Sequence, residues 1–168
     1  VIAIGVLAYI PSLRQRELLL RTLASIRAQQ DAPEYTLTIV DNGNESGATR
    51  TWLDEIAVSF QARVVRRENK EIAAARDLFL RELSDGADFC AFVDSDIELP
   101  TNWLRVLMNV ALENHSAKLP TVAIASVNHP PIKESAFDDA LFCFFSSRLA
   151  LLGAPQALQV DVPEEVNH

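Results

Sequence analysis

The sequence predicts an α/β fold: a mostly parallel central sheet with helices on both faces. Three observations predict it. Short apolar runs rich in Val and Ile alternate with amphipathic stretches at helical spacing, each strand-like run ends in a polar turn, and 168 residues suffice for one buried core but not for two ordinary domains. A strand-helix alternation of this kind implies right-handed crossovers between parallel strands.

Residues 1–9 are almost wholly apolar, as expected of a strand covered on both faces. Pro11 and Ser12 end that run. Over residues 14–29, Leu19, Leu23 and Ile26 recur at helical spacing and leave Arg14, Arg16, Arg21 and Arg27 for the opposite side. Residues 35–40 form a second strand, and residues 41–47 (Asp-Asn-Gly-Asn-Glu-Ser-Gly) are turn formers that end it. A helix is expected over residues 48–57, a short strand over 62–65 and an Ala- and Leu-rich helix over 71–83. Residues 88–93 are the fourth strand. Asp94-Ser95-Asp96 follows, and Pro100 suits the first turn of a helix running to about Asn114. A fifth strand is expected at 122–127. Beyond His129-Pro130-Pro131 come a polar loop, an aromatic strand at 141–145, a short helix around 148–152 and a loop after Gly153.

With 49% apolar and 23% charged residues, the composition is that of a soluble globular protein. No apolar run reaches the roughly 18 to 20 residues needed to span a bilayer, so no transmembrane segment is expected. The formal net charge of -8 argues against a nucleic-acid partner, which demands a basic stripe. An acidic chain that binds an anionic nucleotide needs a divalent cation or well-placed Arg residues to offset repulsion. Cys90 and Cys143 lie in apolar runs without metal-ligand spacing and are expected to be buried free thiols, which fits a cytoplasmic setting, whether or not at the cytoplasmic face of a membrane. The chain starts without Met and stops at Val166-Asn167-His168, as a fragment of a longer protein would.

In open parallel sheets, ligands bind beyond the carboxyl ends of the strands, where loops and helix N-termini converge. The residues at those ends are Ala8-Tyr9, Asp41-Asn42 and Asp94-Ser95-Asp96, so three acidic side chains gather at one edge. Two carboxylates one residue apart offer the hard oxygen ligands that hold Mn²⁺ or Mg²⁺ against a diphosphate. The preceding run Phe89-Cys90-Ala91-Phe92-Val93 reads as a buried strand, and two charges delivered to its end call for a counter-ion.

At these residues the chain resembles the inverting glycosyltransferases of the GT-A fold, often called family 2. The family's opening loop corresponds to Leu7-Ala8-Tyr9-Ile10, with only the Tyr kept. Its Asp-Asn-Gly-Ser motif reads Asp41-Asn42-Gly43-Asn44 here. Its Asn-x-Gly-x-x-x-Ala-Arg-Asn stretch is matched by Asn69-Lys70-Glu71-Ile72-Ala73-Ala74-Ala75-Arg76-Asp77, with Glu71 in place of Gly. Its Asp-x-Asp segment and trailing Ile-x-x-Pro-x-x-Trp-Leu are matched by Asp94-Ser95-Asp96-Ile97, Pro100, Trp103 and Leu104. The ordered set is far more specific than any one member.

The resemblance implies a nucleotide-diphospho-sugar donor, of UDP or dTDP type, and a hydroxyl acceptor that is a glycan, a lipid-linked group or another alcohol. Asp41 would accept from the base imide, with Ala8 and Tyr9 as the wall beside the ring. Arg76 and Ser95 would lie near the ribose and diphosphate, a salt bridge on the helix surface being the other reading of Arg76; Asp94 would contact ribose or metal-bound water, and Asp96 would ligate the metal. Inversion requires a carboxylate that takes the acceptor proton. By its interval after Gly153, Glu165 is the candidate base, with Glu164 second; a solvated acidic terminus is the other reading. Trp103 reads as a core residue, and His129 and His168 as possible extra ligands. Residues 1–128 would form the nucleotide-sugar-binding half and 129–168 an acceptor-side segment of one domain.

Two alternatives compete. One is a non-catalytic nucleotide-sugar-binding module, suggested by Glu71 and the loose base motif. The other is a haloacid-dehalogenase-type phosphatase, in which Asp-x-Asp supplies nucleophile and general acid, with Lys133 and Asp138-Asp139 in the remaining roles.

Overall fold

The computed structural model describes residues 1–68, 71–82 and 87–116, all within one compact unit, Val1–Pro120. The strands and helices alternate as β1 (Ile2–Ala8), α1 (Leu13–Arg27), β2 (Tyr35–Asn42), α2 (Gly47–Ser59), β3 (Arg63–Arg67), α3 (Ile72–Arg81), β4 (Phe89–Asp94) and α4 (Trp103–Ser116). Among the described residues the four strands form one sheet in the order β3-β2-β1-β4, with every pairing parallel. The regions expected to hold a fifth strand at 122–127, an aromatic strand at 141–145 and a helix at 148–152 lie outside the described residues, as does Cys143.

β1 is buried along its whole length, and its alternate side chains serve two cores. Ile2, Ile4, Val6 and Ala8 pack with Leu19, Leu23 and Ile26 of α1, Leu53, Ile56 and Ala57 of α2, and Leu104 of α4. Ala3 and Leu7 pack on the other face with Ala75 and Phe79 of α3. Helices therefore cover both faces, and β1 reads as an unbroken apolar run because neither face meets water. The α1 face follows the predicted spacing, since Leu19, Leu23 and Ile26 are all fully buried.

Three expectations are corrected. β2 does not stop before Asp41: the strand continues through Asn42, because Asp41 pairs with Ala8 on one side and with Arg66 on the other. β4 is not a buried strand. It pairs with β1 alone among the described residues, and Phe89, Cys90 and Phe92 are exposed while Val93 is buried. The chain crosses to the far side of β1 to form β4, the outermost strand on that side among the described residues. The helix expected from Pro100 begins only at Trp103, whose N–H donates to the Pro100 carbonyl at 3.0 Å.

Candidate functional site

The strand register gathers the predicted residues at the carboxyl edge of the sheet. Asp41 lies beside Ala8, and Asp94 beside Leu7, so the two carboxylates flank the end of β1 from either side. Two strand spacings separate β2 from β4, roughly 10 Å. Paired neighbours in a sheet share a face. Asp41 therefore stands on the face covered by α1 and α2, and Asp94 on the face covered by α3.

Between the β1–α1 and β2–α2 loops opens a cleft of about 330 Å³, lined by Tyr9, Ile10, Pro11, Gly43, Asn44, Glu45, Ser46 and Thr49. Gly43 turns the chain out of β2 with φ of 80°, a left-handed conformation that side chains disfavour, while its N–H donates to the Arg67 carbonyl at 3.1 Å. Ser46 then caps α2 by accepting from the Thr49 N–H at 3.4 Å. Tyr9 lines the cleft. Ala8 does not: its side chain is wholly buried in the core.

Asn44 fastens the two loops together. Its Nδ2 donates to the Ala8 carbonyl at 2.9 Å and to Asp41 Oδ1 at 2.7 Å, and its Oδ1 accepts from the Ile10 N–H at 2.7 Å. Its own backbone N–H donates to Asp41 Oδ1 at 3.1 Å. Both amide protons are thus committed to the protein.

Asp41 is only 1% exposed and lies behind this staple without lining the cleft. A buried carboxylate requires counter-charge. Arg66 Nε stands 3.4 Å from Oδ2 and Arg50 Nε 4.0 Å, and Arg66 is held in turn by Asp54 of α2. Oδ2 nevertheless makes no hydrogen bond, so it is a buried acceptor with capacity to spare. Arg50 also donates from Nε to the Asn44 carbonyl at 2.6 Å. Asn44, Arg50 and Arg66 escaped the sequence reading; Asn44 stood in a motif position but looked like one turn former among several.

At the other side of β1, Asp94 and Asp96 are both exposed, and Ser95 is partly buried between them. Arg76 of α3 reaches within 3.8 Å of Asp94 Oδ1, and its guanidinium carbon lies 5.5 Å from the centre of the Phe92 ring. Asp94 and Arg76 are therefore brought together. Among the described residues no group of three His, Cys, Asp or Glu side chains can hold a metal by itself. Carboxylates such as these are the hard oxygen ligands that Mg²⁺ takes alongside phosphate oxygens and water. Glu71 occupies the family's Gly position at φ of -84°, an ordinary backbone conformation, so that replacement introduces no strain. Trp103 packs against the main core, as predicted. Glu164, Glu165, His129, His168, Lys133, Asp138 and Asp139 lie outside the described residues.

Residues 8–150 match the family model described as "Glycosyl transferase family 2". The chain belongs to that family. Its family-2 fold, an α/β GT-A arrangement with a parallel sheet, is shared with solved structures of S. aureus TarS. One TarS structure aligns at 20% identity and a TM-score of 0.53, covering 68% of this chain and 20% of that one. TarS 1-349 in complex with UDP aligns at 20% identity and 0.54, covering 68% and 32%. TarS 1-349 aligns at 19% identity and 0.52, covering 79% and 40%. The chain thus spans between a fifth and two fifths of the length of these structures. No curated protein sequence matches it. Membership of family 2 leaves the haloacid-dehalogenase reading without support. No helix among the described residues is long and apolar enough to cross a membrane.

Proposed function

We propose that this family-2 domain binds a nucleotide-diphospho-sugar of UDP or dTDP type and transfers its sugar, with inversion, to a hydroxyl acceptor. The observation that carries the reading is the register that sets Asp41 and Asp94 on either side of the β1 end, at the same edge of the sheet as the cleft lined by Tyr9 and Asn44. The nucleoside would occupy the cleft with its ring against Tyr9. The spare lone pairs of Asp41 Oδ2 suit the imide N–H of uracil or thymine, and because that atom is buried behind Asn44, base binding would require the Asn44 staple to shift. The UDP in one TarS structure is consistent with this donor type.

The diphosphate would lie towards Asp94, Ser95 and Asp96, with Arg76 as counter-charge. Asp96, assisted by Asp94, would hold Mn²⁺ or Mg²⁺ there, and the ion when bound supplies charge neutralisation for the departing diphosphate. The acceptor hydroxyl attacks the anomeric carbon while a carboxylate accepts its proton, the role we assign to Glu165, with Glu164 as second candidate. Residues 1–128 would serve the donor and 129–168 the acceptor, a glycan, lipid-linked group or other alcohol, in a cytoplasmic setting.

A thermal-shift panel of UDP, dTDP, GDP and CDP, each with and without Mn²⁺, tests the reading, because a ligand that binds the folded state raises its apparent stability. UDP or dTDP with Mn²⁺ should give the largest shift. No shift with any nucleotide would contradict donor binding.

A further inference from the structure

The segment that follows Asp96 has no helix or strand of its own until α4, yet its backbone groups, and that of Leu104 in α4, find partners on α1 and on the residues just after it. Thr22 Oγ1 accepts from the Ile97 N–H at 3.2 Å, Ser25 Oγ from the Leu99 N–H at 3.0 Å, and Gln29 Oε1 from the Leu104 N–H at 2.9 Å. Gln29 Nε2 also donates to the Pro100 carbonyl at 2.6 Å, and the Gln30 N–H to the Thr101 carbonyl at 2.7 Å. Thr22 and Ser25, three apart, lie on one stripe of α1, and Gln29 follows just beyond the C-terminal end of that helix. Backbone N–H groups withdrawn from water need such partners.

Thr22 stands out within this stripe. It is fully buried on the helix that also carries the buried Leu19, Leu23 and Ile26, where Val would supply the same shape without the cost of burying a hydroxyl. Its hydroxyl donates to the Leu18 carbonyl at 3.1 Å and uses its free acceptor capacity on the residue directly after Asp96.

We propose that Thr22 is a positioning residue for the Asp94-Ser95-Asp96 turn, with Ser25 and Gln29 extending the same support towards α4. The inference rests on the proposed placing of metal and diphosphate at that turn. By fixing Ile97, Thr22 holds the Asp96 backbone, and with it the separation of the two carboxylates. A metal site needs its ligands held by supporting hydrogen bonds of this kind.

The test compares Thr22→Val, which keeps the shape and removes the acceptor, with Thr22→Ser, which keeps the hydroxyl, in the full 168-residue chain. UDP is titrated calorimetrically with Mn²⁺ and with EDTA, and exchange of the Ile97 amide is followed by NMR. In Thr22→Val, affinity for UDP with Mn²⁺ should fall about tenfold, the scale of one lost hydrogen bond, while affinity in EDTA holds and Ile97 exchange accelerates. Thr22→Ser should restore both values. Equal losses in Mn²⁺ and EDTA would mark a merely structural role and overturn the proposal, as would unchanged binding in a folded Thr22→Val. Should Thr22→Val not fold, Ser25→Ala carries the test in the same direction, and its unchanged metal dependence would overturn the proposal. If the unmodified protein binds UDP without regard to Mn²⁺, the metal reading itself fails and the role of Thr22 falls with it.

Discussion

Asn44 donates to Asp41 Oδ1 at 2.7 Å while accepting from the Ile10 N–H at 2.7 Å, so one side chain ties the end of β2 to the loop after β1. Asn44→Ala would strand a buried N–H and weaken the support of a buried carboxylate. The expected loss of stability is about 1–3 kcal/mol, the usual cost of leaving a buried polar group unpaired. Urea unfolding should show a lower midpoint at constant slope; an unchanged midpoint would remove the staple from the account.

Asp41 itself bears on both stability and binding. Asp41→Ala removes the counter-charge of Arg66 and Arg50 and both acceptor bonds to Asn44. The variant should therefore unfold at lower urea than the parent. Its UDP affinity should fall by on the order of 1–3 kcal/mol. UDP titration of the folded variant checks this, and undiminished affinity would move the base pocket away from β2.

A prediction on the opposite face needs no ligand. The ring of Phe79 occupies the space that a side chain on Gly5 requires: a β-carbon there would lie 2.8 Å from the ring. Phe79 is almost fully buried and meets Phe92 edge to face, with centroids 5.5 Å apart. Gly5→Ala should cost about 1–3 kcal/mol through overpacking, read as a lowered urea midpoint. Full stability in that variant would contradict the packing of α3 on β1.

The fold was legible in the sequence because β1 is buried on both faces and α1 presents Leu19, Leu23 and Ile26 at helical spacing, so periodicity and burial agree. Asp41, Asp94 and Asp96 were legible as residues at strand ends. What was not legible depends on pairing across the chain. Asp41 looked like the first residue of a turn, whereas Ala8 and Arg66 on its two sides keep it in the strand. The run before Asp94 looked buried, yet apolarity alone does not reveal that Phe89, Cys90 and Phe92 are exposed. Arg50 and Arg66 were not legible as partners of Asp41, because no local pattern links them to it. Thr22 was invisible for the same reason: its partner Ile97 is 75 positions away.

For the chemical step, Glu165→Gln keeps shape and hydrogen bonding but cannot take up a proton. Sugar transfer should fall by about 10² to 10⁴ with donor binding retained. Glu164→Gln is the control and should cost far less. If Glu164→Gln abolishes transfer and Glu165→Gln does not, the two roles are exchanged; if neither matters in active protein, the base lies elsewhere.

The most direct test of the central claim is a calorimetric titration of UDP into the protein and into Asp96→Ala, each with Mn²⁺ and with EDTA. The account predicts tight binding for the unmodified protein with Mn²⁺, a weaker association in EDTA, and no difference between the two conditions in Asp96→Ala. Equal UDP affinity with Mn²⁺ and EDTA in the unmodified protein would contradict the metal role of the Asp94–Asp96 edge, and absence of UDP binding under both conditions would contradict the donor site itself.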